Sequence, residues 1–493
     1  MGSLISETSN YLFVGIIGFY VVLNFLVFFF KNPQIHKRLY FLQVIFAVLF
    51  HAVGYITLYM RSDDMRYFFF FAFQEITMLA IVLLYLTLYP TISRLLLNNM
   101  VFLLFVGMVI LGRLSFSGAV RQYVFTIIML VISLFIPFVY RKIKFWDKIG
   151  YAYTGIGIFL LAAVWLTGEV THGSKLAVNL FGFSFQPSEF VKISIVFFLA
   201  AMFSNEKIIY RYLSSSLFFI IHVIILVFSK DLGSAGIYLA IFICMLFLSN
   251  RNILTLLSGG ALAVGGFAAA YKMFPHVRIR MKTWRDPWSD INNTGYQISQ
   301  SLFAIGTGGW FGMGLLMGSP HSIPVVYEDF IFSAISEEMG TLFGILLILL
   351  YMLTVLHIFR MGMQVKSIFH KNILIGFGVA LGVQVFLTIG GGTRLIPLTG
   401  VTLPLISMGG SSLCATILMF SIIQGIYVDE FGKEEERFPI GDELEEYLEE
   451  PDDSEEPDDS EEPEYIEEIE EPEYIDKEAE IEKPEYMKAS EER

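Results

Sequence analysis

The feature that most constrains this chain is a series of apolar runs, each close to the roughly 20 residues that cross a bilayer as one helix. Backbone groups find no water inside a membrane, so such runs predict helices rather than open sheets. The sequence therefore predicts an all-α polytopic membrane protein, whose first run is a retained helix rather than a cleaved leader. The thirteen predicted spans are 11–30, 39–60, 68–89, 98–113, 122–140, 148–167, 189–204, 211–229, 232–249, 253–273, 330–359, 369–390 and 405–427.

Composition supports this class and excludes an ordinary soluble protein. The 493-residue chain is 55% hydrophobic and 16% charged, with a mean hydropathy of +0.63. Its two cysteines, Cys244 and Cys414, lie in different apolar runs. We therefore expect them to pack in the core rather than to form a disulfide.

Charge divides the chain into two parts. Residues 429–493 hold 32 of the 47 acidic and 6 of the 33 basic residues, so this segment carries −26 and the remainder +12. The segment lacks apolar periodicity and is predicted to be a disordered acidic cytoplasmic tail. Its repeated Pro-Glu-Tyr units leave open a second interpretation, in which the tail docks a cytoplasmic partner. No nucleic-acid partner is predicted.

Lysine and arginine cluster in alternate connections between the predicted spans, such as 31–38, 141–148 and 360–371. The positive-inside rule assigns these connections to the cytoplasm. With thirteen spans, the N-terminus is then expected outside and the C-terminus in the cytoplasm. The connections 274–329 and 391–404 are expected on the outer face.

Two charged pairs stand where apolar runs begin. Glu189 and Lys192 are three residues apart at a helix start, close enough to pair. A structural ion pair and the binding of a substrate phosphate are both open for them. Lys230 and Asp231 interrupt two apolar runs and are predicted to be buried structural or gating charges.

Two connections carry residue types that suit an anionic ligand. The long loop 274–329 contains Arg278 and Arg280, whose guanidinium groups suit diphosphate oxygens, although an interfacial belt is the alternative. Farther on, Arg394 is followed by a Gly-Gly-Ser-Ser stretch with Ser411 and Ser412. Free backbone N–H groups at such a helix start can bind an anion, although glycine and serine also serve simple helix packing.

Carboxylates cluster at the start of the run 330–359. Asp329 is expected at the outer mouth of this helix, ionised by the helix dipole and suited to act as a general base, with a helix cap or ion pair as the alternative. Glu337 lies roughly 12 Å farther along a continuous helix. Glu337 and Glu338 are expected to pair inside the bundle with Lys192, Lys230 or Arg394.

At these residues the sequence resembles the SEDS family of bacterial cell-wall polymerases, the FtsW/RodA/SpoVE group. Seven motifs occur in the family's order. They are "RLSFSGAVRQ" (113–122), "QPSEFVKI" (186–193), "KDLGSAG" (230–236), "RMKTWRDPWSD" (280–290), "GYQISQSLFAIGTGGWFGMGL" (295–315), "EDFIFSAISEEMG" (328–340) and "PLTGVTLPLISMGGSSL" (397–413). The sequence departs from the family pattern at Thr388 and Arg394, and before the second motif.

The resemblance implies a ten-helix core over residues 98–428, three additional N-terminal helices within 1–97, and the acidic tail from 429. It also implies a peptidoglycan glycosyltransferase of the bacterial cytoplasmic membrane that polymerises lipid II on the outer face. The process served, whether division, elongation or sporulation, is left open. A class B penicillin-binding protein is the implied partner.

The resemblance also assigns roles to particular residues. Asp329 matches the family's essential aspartate, Glu189 and Lys192 match its glutamate and lysine, and Arg280 matches its loop arginine, with Arg278 as the alternative register. A divalent cation, Mg²⁺ or Mn²⁺, is compatible with this chemistry but is not required by it.

A rival interpretation is a transporter that flips lipid II. In that interpretation, charges in the membrane would line a path through the bundle. The residues concerned are Glu189, Lys192, Lys230, Asp231, Glu337 and Glu338. No internal repeat of the kind common in transporters supports it.

Overall fold

The computed structural model describes residues 2–168, 177–180, 183–205 and 210–437. Within these ranges the chain forms sixteen α-helices, one short hairpin and two 3-10 turns, Trp288–Asp290 and Pro320–Ser322. The helices are α1 Gly2–Phe29, α2 Pro33–Ser62, α3 Met65–Leu88, α4 Arg94–Leu114, α5 Phe116–Lys142, α6 Gly150–Thr167, α7 Pro187–Ser204, α8 Arg211–Phe228, α9 Leu232–Asn250, α10 Ile253–Met273, α11 Pro275–Arg285, α12 Tyr296–Gly308, α13 Ile331–Met339, α14 Thr341–Gln364, α15 Ile368–Gly392 and α16 Gly410–Arg437.

Thirteen helices in the described ranges are long and apolar enough to cross a membrane, which confirms the predicted number of spans. The three others, α11, α12 and α13, lie in the long connection between α10 and α14. The protein is therefore a multi-pass, all-helical membrane protein. Strands β1 Val178–Leu180 and β2 Phe183–Phe185 pair antiparallel just before α7.

Local sequence explains where several helices begin. α7 begins at Pro187, two residues before the predicted span, because proline suits the first helical position, where no N–H is needed. The Asp231 side chain caps α9 by accepting a hydrogen bond from the Ser234 backbone N–H, 3.0 Å. Ser115 caps α5 in the same way through Gly118.

The predicted span 330–359 is wrong as one continuous helix. Gly340, with φ +98°, separates α13 from α14. Residues 309–312 occupy the break, where Thr341 N–H donates to the Gly309 carbonyl and Leu342 N–H to that of Trp310. A Cβ atom at position 340 would lie 2.4 Å from the Trp310 oxygen, so only glycine fits there.

The boundary of the acidic tail is also corrected. α16 continues to Arg437, beyond the predicted end of the last span. Asp429 accepts a hydrogen bond from Lys144 at 2.9 Å, and Glu430 pairs with His370 at 2.5 Å, so both belong to the helical part. The predicted disorder and partner docking concern residues 438–493, which lie outside the described ranges.

The central element is α4, which is buried along almost its whole length. α1 packs on α14, α2 on α4, and α3 on α5. Asn99 of α4 accepts a hydrogen bond from Tyr20 of α1 and donates one to Thr354 of α14. The three N-terminal helices therefore cover α4, whereas α10 has no buried residue and contacts mainly α9 and α11.

Candidate active site

The candidate site lies at one end of the bundle, called here the site end. There the starts of α7, α9 and α16 meet α11, the segment 397–409 and the residues that precede α13. The positions that matter are mostly helix starts and loops rather than helix interiors. Such positions leave backbone N–H groups and polar side chains available for a ligand.

Asp329 and Arg280 meet at Gly400. A Cβ atom built at this glycine, where φ is +78°, would lie 3.7 Å from both Asp329 Oδ2 and Arg280 Nη2. Arg280 Nη1 also donates to the Thr399 carbonyl at 3.1 Å. The absence of a side chain at position 400 thus leaves room beside a carboxylate and a guanidinium group.

Electrostatics couple this pair to α9. Burial lowers the pKa of the Arg280 guanidinium, and the carboxylates of Asp329 and Asp231 oppose that shift. Arg278, the alternative, lies on an exposed part of α11. The structure therefore places Arg280, rather than Arg278, beside Asp329.

Asp231 is buried as predicted, whereas Lys230 is exposed, so the expectation of a buried Lys230 is wrong. Asp231 accepts hydrogen bonds from the Ser188 hydroxyl at 2.9 Å and from Ser234 N–H. Burial raises the pKa of its carboxyl, and these hydrogen bonds oppose the rise. Lys230 lies at the turn between α8 and α9, where its backbone is left-handed, with φ +62°.

Glu189 and Lys192 form an ion pair at 2.8 Å, one of the two alternatives left open by the sequence, and both are buried. Lys192 also donates to Gln384 of α15 at 2.6 Å. Gln384 in turn donates to the Thr402 carbonyl and to the Ser412 hydroxyl. This chain of contacts links α7 to the site segment and to the start of α16, which supports a structural role for the pair.

A polar cavity of about 350 Å³ lies beside this network. It is lined by Arg121 and Gln122 of α5, by the segment before α7, and by the start of α16, with Glu328, Ser411 and Ser412 among its walls. The Ser411 hydroxyl accepts a hydrogen bond from Gln186 N–H at 2.9 Å. An apolar cavity of about 320 Å³ between α5, α6, α7 and α16 shares Phe190 with the polar one.

The predicted partners of Glu337 and Glu338 are wrong. Glu338 pairs with Arg113 at the end of α4, with 2.8 Å between Oε1 and Nε, and both side chains are buried. Glu337 accepts a hydrogen bond from Ser319 N–H at 2.8 Å. Burial raises the pKa of Glu338 to about 7, although Arg113 opposes the rise.

Arg394 is engaged elsewhere as well, since its guanidinium donates to the carbonyls of Trp284 and Arg285. It ties α11 to the end of α15 and does not reach the glutamates. Arg113, the ion-pair partner of Glu338, is the charged residue of this region that sequence reasoning missed. Its position as a lone arginine at the end of an apolar run was the available signal.

The charges of the predicted transport path do not line a route through the bundle. In the described part of the chain, all six lie within about two turns of the site end. They divide into the Glu189–Lys192 pair, the surroundings of Asp231, and the segment around Glu338.

The described residues contain no group of three or more His, Cys, Asp or Glu side chains that could hold a metal ion. Mg²⁺ usually binds through one or two carboxylates together with substrate phosphates. A Mg²⁺ or Mn²⁺ ion at Asp329 would therefore need oxygen ligands from a bound diphosphate.

The fold and the site define the class of protein. It is a polytopic membrane protein with a charged site at one end of a helical bundle, formed by helix starts and by the loops that connect the helices. The sequence model of a family described as "Cell cycle protein", the FtsW/RodA/SpoVE family, matches residues 111–430. Because this match covers more than half of the chain, the chain belongs to the FtsW/RodA/SpoVE family, as its motifs predict. Helices α1 to α3 lie outside the matched residues.

Relatives with assigned names agree with this membership. Peptidoglycan glycosyltransferase RodA of Mycobacterium tuberculosis is 35% identical over 271 residues, which are 52% of this chain and 58% of the relative. Stage V sporulation protein E of Bacillus subtilis is 31% identical over 325 residues, or 63% of this chain and 87% of the relative. The chain thus spans somewhat more than half of the length of the RodA relative.

Two solved structures share the fold. The first is a chain from a structure described as "Structural coordination of polymerization and crosslinking by a peptidoglycan synthase complex". It matches with a TM-score of 0.58 and 26% identity, and the match covers 68% of this chain and 97% of that chain. The rod shape determining protein RodA of Thermus thermophilus gives a TM-score of 0.51 at 23% identity, over 68% of this chain and 96% of that chain. The predicted fold class is confirmed.

Proposed function

We propose that this protein is a peptidoglycan glycosyltransferase that polymerises lipid II at the outer face of the bacterial cytoplasmic membrane. The observation that carries the proposal is the meeting of Asp329 and Arg280 at Gly400. The reaction requires a base that takes a proton from a hydroxyl and a cation that stabilises a departing diphosphate. A carboxylate and a guanidinium group beside the same glycine can fill these two roles.

In the proposed reaction, Asp329 accepts the proton of the 4-hydroxyl on the N-acetylglucosamine of the acceptor. The hydroxyl oxygen forms a bond to the anomeric carbon of the growing chain. The bond from that carbon to the diphosphate oxygen breaks, and its electron pair leaves with undecaprenyl diphosphate, so the configuration inverts. Because diphosphate is a good leaving group, no second carboxylic acid is needed, and Arg280 stabilises its developing charge.

The cavities fit a substrate that is polar at one end and a polyprenyl chain at the other. The polar cavity with Arg121, Ser411 and Ser412 borders Glu328, the residue before Asp329. The apolar cavity that shares Phe190 with it lies among α5, α6, α7 and α16, of which α5 and α6 are largely exposed on the outside of the bundle. The second lipid-linked substrate, the acceptor, would then place its own diphosphate at the start of α16 and its chain in this apolar cavity, while the departing diphosphate of the donor lies beside Arg280.

The orientation and the domain division also belong to this proposal. The lysine- and arginine-rich connections lie at the end opposite the site, which supports an outer site, an outer N-terminus and a cytoplasmic C-terminus. Residues 98–428 would form the polymerase core, 1–97 an addition, and 429–493 a tail whose first residues extend α16. The family match over 111–430 supports this division.

A class B penicillin-binding protein is the proposed partner. Support comes from the structural neighbour, which belongs to a complex that coordinates polymerisation with crosslinking. A cytoplasmic partner of the acidic tail remains a proposal from the Pro-Glu-Tyr repeats alone.

Polymerisation of labelled lipid II by the purified full-length protein, with and without a class B penicillin-binding protein, tests the function. We expect glycan strands from the wild type, and a loss of about 10²- to 10⁴-fold in rate for Asp329→Asn, because the general base is removed. Asp63→Asn is the matched control, since Asp63 is an exposed aspartate at the same end of the bundle with φ +51°, which asparagine tolerates.

Failure of the wild type to polymerise, together with movement of lipid II across liposomes that Asp329→Asn leaves unchanged, would favour a transporter. Equal polymerisation by Asp329→Asn and Asp63→Asn would remove Asp329 from the chemistry while keeping the enzyme.

A further inference from the structure

Helices α1 to α3 lie outside the matched family region, yet α1 contacts α13, the helix that begins two residues after Asp329. The link is a turn formed by residues 309–314, called here the bracing turn. We propose that Asn10 of α1 is a positioning residue, which holds the bracing turn and through it α13 and Asp329. This inference rests on the proposed function and adds a role for the N-terminal helices.

The bracing turn forms hydrogen bonds with backbone groups at both helix ends, the end of α13 and the start of α14. Met313 and Gly314 donate backbone hydrogen bonds to the carbonyls of Glu337 and Glu338, at 2.8 and 2.9 Å. On the other side of Gly340, the first two N–H groups of α14 donate to carbonyls of the turn at 2.9 and 3.1 Å. These groups would otherwise lack intrahelical partners, so the turn sets where α13 ends.

The turn has little freedom to move against the break. Gly312 has φ +81°, and a Cβ atom there would lie 2.4 Å from the Glu338 carbonyl oxygen. The corresponding atom at Gly340 would lie equally close to the Trp310 oxygen. A displacement of the turn must therefore displace the end of α13 as well.

Asn10 connects the turn to α1. Its side-chain Nδ2 donates to the Gly312 carbonyl at 3.0 Å, and the residue is only 5% exposed. The rings of Tyr11 and Phe311 are 5.0 Å apart beside it, but Tyr11 is 61% exposed. The buried hydrogen bond, rather than the ring contact, is thus the specific link.

A second route from the N-terminal helices reaches the same end of α13. The hydroxyl groups of Tyr55 in α2 and Tyr67 in α3 donate to the carbonyls of Met108 and Gly112 in α4. The next residue, Arg113, pairs with Glu338. α13 is nine residues long, or about 13 Å, and Asp329 lies two residues before its start. Because the helix is short, contacts that fix its end at Glu338 also limit the movement of Asp329 at its start.

The experiment compares Asn10→Ala with Asn24→Ala in full-length protein. Asn24 is the matched control, because it lies in the same helix, is fully buried, and donates within that helix to the Tyr20 carbonyl. We expect Asn10→Ala to lower kcat for lipid II polymerisation about fivefold to tenfold with KM unchanged, the size of one lost hydrogen bond. Asn24→Ala should leave kcat unchanged, and Asn10→Gln, which keeps the donor, should recover most of the loss.

Amide hydrogen exchange of residues 309–314 and of α13 gives a readout that does not depend on activity. We expect faster exchange there in Asn10→Ala than in Asn24→Ala. Equal exchange and equal kcat in the two variants would overturn the inference. If the wild type makes no polymer, the proposed function fails, and the exchange difference still decides whether Asn10 holds the turn.

Discussion

Two buried ion pairs support the site in different ways. Glu189 and Lys192 both lie in the first turns of α7, three residues apart, and their mutual contact lies within one helix. Arg113 and Glu338 are separated by 225 residues and join the covered helix α4 to the short helix α13. Both pairs are almost fully excluded from solvent, so each charge depends on its partner.

The difference indicates which pair supports α13, the helix that begins two residues after Asp329. Loss of Lys192 leaves α7 intact and removes a contact to Gln384. Loss of Arg113 removes the ion pair that joins α13 to α4. Hydrogen bonds within the nine residues of α13 cannot replace this link to another helix. We therefore expect variants at the Arg113–Glu338 pair to affect activity and stability together, and variants at the Glu189–Lys192 pair to affect mainly stability.

Arg113→Met should have the largest effect on stability. Glu338 would remain buried without its cation, which costs about 3–5 kcal/mol of the free energy of unfolding. Thermal unfolding in detergent micelles measures this, with Arg66→Met as the control, because Arg66 forms an exposed pair with Asp64. A loss no larger than that of the control would show that the pair does not hold α13.

Lys192→Met should cost somewhat less, about 3 kcal/mol at the lower end of the same range, because Glu189 is also left buried without its cation but its side chain is 9% exposed, whereas that of Glu338 is 2% exposed. Polymerisation by the remaining folded protein should keep its KM. A selective rise in KM at unchanged stability would instead assign Lys192 to substrate phosphate, the interpretation that the sequence left open.

Glu338→Gln should change the pH dependence of stability. Burial raises the pKa of Glu338 from 4.5 to about 7, so between these values the folded protein holds a proton that the unfolded chain has lost. Its contribution to stability is therefore present below about pH 4.5 and is lost as pH rises toward 7. The variant should show a smaller fall in melting temperature between pH 5 and pH 8 than the wild type, and an equal fall would exclude this titration.

Lys144→Met should have the smallest effect, at most about 1 kcal/mol. Its pair with Asp429 lies at the opposite end of the bundle, and the Lys144 side chain is 64% exposed, so solvent screens the interaction. The same thermal unfolding experiment, compared with Lys192→Met, separates a buried lysine from an exposed one. If Lys144→Met lowered the free energy of unfolding as much as Lys192→Met does, burial would not be what makes the Glu189–Lys192 pair the stronger one.

Much of the architecture was predictable because membrane spans are a local property of sequence. Thirteen apolar runs predicted thirteen spans, and three-residue spacing showed that Glu189 and Lys192 are close enough to pair. The break at Gly340 was not predictable from the run 330–359, because its cause is a turn from residues 309–312. Likewise, acidic composition suggested a tail from residue 429, whereas contacts with Lys144 and His370 extend the helix beyond it.

By itself, the sequence determined the class of protein, the number of spans and the residue types available at the candidate site, since these depend on composition and short-range spacing. The tertiary structure decided which charges meet. Asp329 and Arg280 come together at Gly400, and Glu338 finds Arg113 rather than the partners expected for it. The physical reason is that a buried charge takes whichever partner helix packing brings within hydrogen-bond distance, and that packing depends on contacts hundreds of residues apart.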